Sequence, residues 1–294
     1  MDDTQAKLNA LGSSDAINPA PRRGRPWEDS LPLINFGAAW DRFVDLFRHI
    51  DRDAGGALLL LLADWQTMCA DLLIRRIQSH LAAKPPYGCV RHVPILLADH
   101  NQLSSTQLLQ RLGSYFDCTL PAGEQTATFQ AQTTTLIERI CKSLDQDQVL
   151  LLEITVTPDL YSAEDFLRWF LDAFWSPLVN ALARTVREEN RPGLKCIAIL
   201  AVDTSRPTAC PLAERYWEQP SFGDEQCHAI VPLPLTNWTE EEIGRWLRLD
   251  AGLTPLPKLP ELQKLAKRIY QVSRGGVPTY AYRRLLDELM SLPV

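Results

Sequence analysis

The apolar run Leu58–Leu62, inside GGALLLLLAD, has the length and continuity of a strand buried on both faces. It passes directly into WQTMCADLLIRRI, where apolar residues recur every three or four positions, the spacing of a helix. The same order then repeats. CVRHVPILLAD (89–99) predicts a second strand, followed by the helix SSTQLLQRLGSYF with Ser104 or Ser105 placed to cap it. TATFQAQTTTLIERICKSLDQD predicts a further helix, and the unbroken apolar run in QVLLLEITVT (148–157) a third strand.

Ser162, with Asp165 three residues on, opens the aromatic-rich helix SAEDFLRWFLDAFWSPLVNALARTVREEN, in which a kink is expected at Pro177. LKCIAILAVD and HAIVPLPL predict the fourth and fifth strands. Ahead of the first strand, Trp40, Phe43, Val44 and Phe47 in FGAAWDRFVDLFRHI mark an amphipathic helix. Past residue 235 the strands stop. TEEEIGRWLRL, LPELQKLAKRIYQVS and PTYAYRRLLDELMSL read as three successive helices, the first with a capping box made by Thr239 and Glu242. Alternating strands and helices call for a mostly parallel α/β sheet covered on both faces, with a small helical lid behind it. Residues 1–30, where Pro, Ser, Arg and Asp crowd without a period, are expected to be a flexible leader; 31–235 would be the α/β domain and 236–294 the lid.

Charge narrows the partners. With 30 basic and 36 acidic residues the 294-residue chain carries a net −6, which offers no broad basic surface for nucleic acid, so none is expected. No apolar run approaches the roughly 20 residues of a membrane helix, so no membrane partner is expected either. The amino terminus lacks the basic start and apolar core of a signal peptide, and the cysteines (69, 89, 118, 141, 196, 210 and 227) are widely spaced and odd in number. Those features favour a reducing cytoplasm and buried free thiols over disulfides.

A strand followed by a helix at this place invites comparison with the phosphate-binding loop. There a glycine-rich turn aims backbone N–H groups at the phosphates, a Lys neutralises charge and a Ser or Thr hydroxyl holds magnesium. Aligned from the end of the strand, the eight motif positions run Ala63–Ala70, ADWQTMCA. Ala63 and Met68 replace the glycines, Cys69 the lysine and Ala70 the hydroxyl residue, and Trp65 stands where a phosphate would have been. At the tip of the third strand, where one acid orients magnesium and a second activates water, Glu153 is followed by Ile154. Both halves of a hydrolytic site are missing their chemistry.

Taken in order, INFGAAWDRFVDLF, the strand–helix pair at 58–78, LRWFLDAFWSPLVNAL, VPLPLTNWTEEEIGRWL and SRGGVPTYAYRRLLDEL resemble the STAND class of P-loop ATPases, and more closely its inactive branch, a module of bacterial conflict and signalling proteins. The likeness runs from about Leu33 to the end of the chain. It implies a P-loop NTPase-like sheet with a helical lid. In active members the lid carries a Gly-x-Pro turn near the adenine, and Gly276, Val277 and Pro278 fit that pattern. Glycine at a helix boundary and proline at a first helical turn are also ordinary start signals, and the structural role is the preferred one. The resemblance implies an adaptor or sensor working through protein contacts, with no cofactor and no catalytic residue. Its rivals are an ATPase with a remodelled phosphate loop, and a regulator that binds another small molecule in the vacated cleft.

Two other patterns weigh less. Cys89 and His92 have the spacing of half a metal site but no matching second pair nearby, so strand or core roles are expected and no metal. Trp169, Phe170, Phe174 and Trp175 are too closely set to share one helical stripe; burial on two sides is preferred over an exposed protein-binding edge, and Trp238 and Trp246 are expected to fix the lid on the sheet. For Trp65 the inward-facing plug is preferred over an outward contact.

Overall fold

The computed structural model describes residues 30–34, 36–52, 56–83, 89–97, 105–120, 126–156, 163–188, 193–202, 230–253 and 256–291. The leader, except for Ser30, lies outside these, as do Ser104, Ser162, Cys210 and Cys227. After a single 3-10 turn at Leu31–Leu33 the elements run α1 (Gly37–Arg52), β1 (Gly56–Ala63), α2 (Ala70–Ala83), β2 (Val90–Leu97), α3 (Ser105–Tyr115), α4 (Thr126–Ser143), β3 (Val149–Val156) and α5 (Ala163–Trp169). Then come α6 (Ser176–Glu188), β4 (Lys195–Val202), β5 (Ile230–Pro232), α7 (Glu240–Leu249), α8 (Leu259–Val272) and α9 (Pro278–Ser291). Among the described residues the expected alternation runs from α1 to β4. β5 is shorter than HAIVPLPL suggested.

All five strands are parallel, in the order β2-β3-β4-β1-β5. The carboxyl ends of β1, β3 and β4 are level, because Ala63 and Val156 both pair with Val202. β1 is an interior strand, between β4 and β5, and Leu58, Leu59, Leu60 and Leu62 are all buried because both its faces are covered. One face packs Leu58, Leu60, Leu62, Ile197 and Ile199 against α1, α2 and the carboxyl-terminal helices. The other packs Leu59, Leu152, Ala198 and Leu200 against α3–α6.

The amphipathic reading of α1 holds, with Phe43 and Phe47 buried and each worth about 1.5–3 kcal/mol of transfer free energy. Trp40 remains half-buried under the Arg76 guanidinium, 4.1 Å from its ring. At the amino end of the sheet the fully buried Lys195 ammonium donates to the Gly193 carbonyl and sits 3.4 Å from Asp51 of α1.

The long aromatic helix departs from expectation in kind. Between α5 and α6 the chain makes a π-helical segment, Phe170–Trp175, closed by the Ser176 N–H donating to the Leu171 carbonyl five residues back. The irregularity therefore precedes Pro177, whose ring nitrogen has no hydrogen to give. The wider π turn puts Phe170, Phe174 and Trp175 all in the core, with Trp169 half-buried beside Phe129 and Phe174. The aromatics are core.

In the carboxyl-terminal part α7 packs on α8 and α8 on α9. The Thr239–Glu242 capping box is formed in both directions. Trp238 and Trp246 are buried in the cluster that includes the sheet face. Trp246 Nε1 donates to the Ser30 carbonyl at 2.9 Å, so the last residue assigned to the leader is held against α7. Cys69, Cys89, Cys118, Cys141 and Cys196 are free thiols; burial was expected for them, but Cys89 is exposed and Cys118 half-buried.

Candidate functional site

Between β1 and α2 the chain turns at Asp64–Cys69, over the carboxyl end of an interior strand, where ligands of open α/β sheets bind. The left-handed residues of this turn are Asp64 and Cys69, each at φ 50°. They lie five apart, the spacing of the two glycines in a phosphate loop. Each lies one residue after a position that the sequence alignment gave to a glycine, Ala63 and Met68. Asp71 brings a carboxylate to the first turn of α2. Its attraction to Arg75 is a weak surface contact at 3.9 Å.

The turn also spends its donors on itself. The N–H groups of Met68, Cys69 and Ala70 donate to the carbonyls of Asp64, Gln66 and Trp65, and that of Trp65 to Val202 on β4. Phosphate loops work by leaving such groups free for oxygen ligands. Met68 is half-buried, Ala70 is fully buried, and Trp65 is half-buried against the core with its indole nitrogen sealed from solvent.

What meets the turn is the lid. The Thr279 N–H donates to the Thr67 carbonyl at 3.0 Å, and the Thr279 hydroxyl shares its proton between the carbonyls of Gln66 and Thr67. The Cys69 thiol lies 3.6 Å from Thr279 Oγ1, and either atom can donate. Burial pushes this thiol up to about 11, partly offset by the Thr279 hydroxyl, while the Asp71 charge adds to the rise and Arg283 opposes it.

The Gly276–Pro278 turn positions Thr279. Pro278 starts α9, and its fixed φ suits the first helical residue. Gly276, at φ 79°, accepts from the Trp238 N–H at 2.8 Å, and a Cβ there would lie 1.7 Å from the Trp238 carbonyl oxygen. Its glycine is required by packing on its own chain. Val277 donates its N–H to Ser273 and is half-buried.

Glu153 does not stand at the tip of β3. Its register partner is Ile199, which pairs with Leu60, so it lies three residues before the carboxyl edge, roughly 10 Å down the strand. Its carboxylate accepts from His92 Nε2 on β2 at 2.8 Å, and the Gln78 amide lies 3.2 Å from His92 Nδ1. Ile154 is buried on the opposite face. Cys89 accepts from the Gln148 amide and does not join His92. Among the described residues no group of His, Cys, Asp and Glu is large enough to hold a metal, and no helix is long and apolar enough to cross a membrane.

A parallel sheet with a turn of phosphate-loop position and spacing, stripped of its lysine and closed on itself, defines a P-loop-like α/β protein with a degenerate nucleotide site. The chain belongs to the inactive STAND family, iSTAND, whose model matches residues 31–197. The matched region ends within β4, short of the carboxyl-terminal helices included in the sequence likeness. No curated protein matches the chain. Among solved structures, a chain of Drosophila ORC bound to DNA is similar at 11% identity and TM-score 0.39, covering 98% of this chain and 69% of that one. The Aeropyrum pernix ORC2 protein in ADPNP–ADP complexes is similar at 11% identity and TM-score 0.40, covering 87% and 68%. Likeness at that level says nothing about ligand or partner.

Proposed function

We propose that this chain is a nucleotide-independent adaptor or sensor, a cytoplasmic module that acts through protein contacts in a bacterial conflict or signalling system, without catalysis and without a cofactor. The observation that supports it most is the pair of bonds from Thr279 to the Gln66 and Thr67 carbonyls. An ATPase lid closes on a nucleotide; here the lid helix meets the loop's own backbone oxygens, so a closed state needs no ligand. The segment Ala63–Ala70 contains no lysine, and Asp71 adds a negative charge at the start of α2. Each lost charge-assisted bond costs about 1.5–3 kcal/mol of binding, and several are lost together.

Thermal unfolding with and without ATP and magnesium tests the reading. A ligand at about 100 times its Kd stabilises the native state by about 2.7 kcal/mol, a shift of several degrees. The midpoint should stay unchanged at millimolar ATP. A magnesium-dependent rise would overturn the proposal in favour of a remodelled ATPase.

A further inference from the structure

We infer that the outer face of the lid, built on α8 and the start of α9, is a docking surface for an acidic amphipathic segment of a partner protein; this rests on the interaction-module reading above. Two independent observations converge on it. The first is charge. Lys258–Arg274 holds five basic residues and one acid in a chain of net charge −6. Lys264, Lys267 and Arg268 fall on the side of α8 opposite its buried residues Leu262, Leu265, Ala266 and Ile269, and all three are exposed.

The second is apolar exposure. Of the nine large hydrophobic side chains most exposed among the described residues, six belong to the last three helices and their connections: Leu249, Leu256, Leu259, Val272, Tyr280 and Met290. That concentration in the last fifth of the chain is what a contact surface leaves bare, whereas scattered single exposures need no cause. Val272, 60% exposed, lies one turn beyond Arg268 on the same helix, and Tyr280 sits under the Arg274 guanidinium at 4.9 Å. Each of these two apolar groups therefore has an arginine beside it, and Arg268 also pairs with Glu288 of α9 at 3.6 Å.

A rigid aromatic and a branched aliphatic group beside arginines, on a helix that also exposes Lys264 and Lys267, suit a helix with acids on one side and apolar residues on the other. Nucleic acid fits less well, because the exposed Leu256, Leu259 and Val272 offer apolar area that a phosphate backbone leaves unused.

Fluorescence anisotropy of the full chain with a labelled amphipathic peptide of about 18 residues, glutamate on one face and leucine and phenylalanine on the other, tests this. The expected result is saturable binding that weakens as salt rises from about 50 to about 300 mM, falls at least about tenfold in Lys264→Glu/Lys267→Glu and in Val272→Asp, and persists in Arg111→Glu/Arg184→Glu, charge reversals across the sheet. Circular dichroism first establishes that each variant is folded. No binding, binding indifferent to the Lys264/Lys267 reversal, or tighter binding of a duplex DNA or of an anionic vesicle than of the peptide would each overturn it. Failure of the peptide with ATP still unbound removes only this surface, whereas ATP binding removes the reading beneath it.

Discussion

Thr279, on the first turn of α9, caps itself with the backbone of Thr67: its N–H and its hydroxyl both donate to that carbonyl, at 3.0 and 2.7 Å. The first N–H groups of a helix have no partner within it and take one from elsewhere. Here the degenerate phosphate loop provides the acceptor, so loop and lid stabilise each other. Thr279→Val keeps the N–H bond and removes the hydroxyl, which should cost about 1 kcal/mol in chemical denaturation and speed hydrogen exchange at Met68 and Cys69. Unchanged exchange at those amides would show that the hydroxyl does not hold the loop.

Gly276→Ala tests whether the Gly-x-Pro turn is a packing device. The added methyl would collide with the Trp238 carbonyl oxygen in a left-handed backbone, two faults at one residue. The expected loss is about 2–4 kcal/mol, at the upper end for a single substitution. A variant as stable as wild type would remove the packing role.

Trp65 packs on the core from the turn where a phosphate-binding loop would have glycines free to move. Trp65→Ala should lower stability by about 2–3 kcal/mol, less than a fully buried aromatic because the side chain is half-covered. A denaturation midpoint equal to wild type would make Trp65 an outward contact.

The Cys69 thiol gives a pH signature. Its folded value, about 11, is above its ordinary 9.0. The folded state therefore keeps the proton where the unfolded chain releases it, and this stability is present below pH 9 and lost as pH rises towards 11. Thermal midpoints should fall over that window, less steeply in Cys69→Ala. Equal slopes in the two proteins would contradict the assignment.

The strands were legible because a buried parallel strand reads as an unbroken apolar run, as Leu58–Leu62 and Cys196–Val202 do, and the capping box at Thr239 because its residues are local. The π turn at Phe170–Trp175 was not, since a crowded aromatic run fits a doubly buried α-helix equally well. The left-handed backbone of Asp64 and Cys69 was not legible, because neither is a glycine. Glu153 was misplaced along its strand because its level depends on pairing with β4, and its His92 partner on pairing with β2. The Thr279 contact spans 212 residues; its one local sign was a hydroxyl residue directly after the helix-starting Pro278.

The central claim is that this P-loop-like module has no use for nucleotide. Isothermal titration calorimetry of the full chain with ATP and magnesium measures it most directly. The account predicts no heat of binding beyond dilution, meaning a Kd weaker than about 1 mM, or less than about 4 kcal/mol of binding free energy. Micromolar, magnesium-dependent binding would contradict it, because it would require the loop to release its own hydrogen bonds and the lid to reopen on a phosphate beside Asp71.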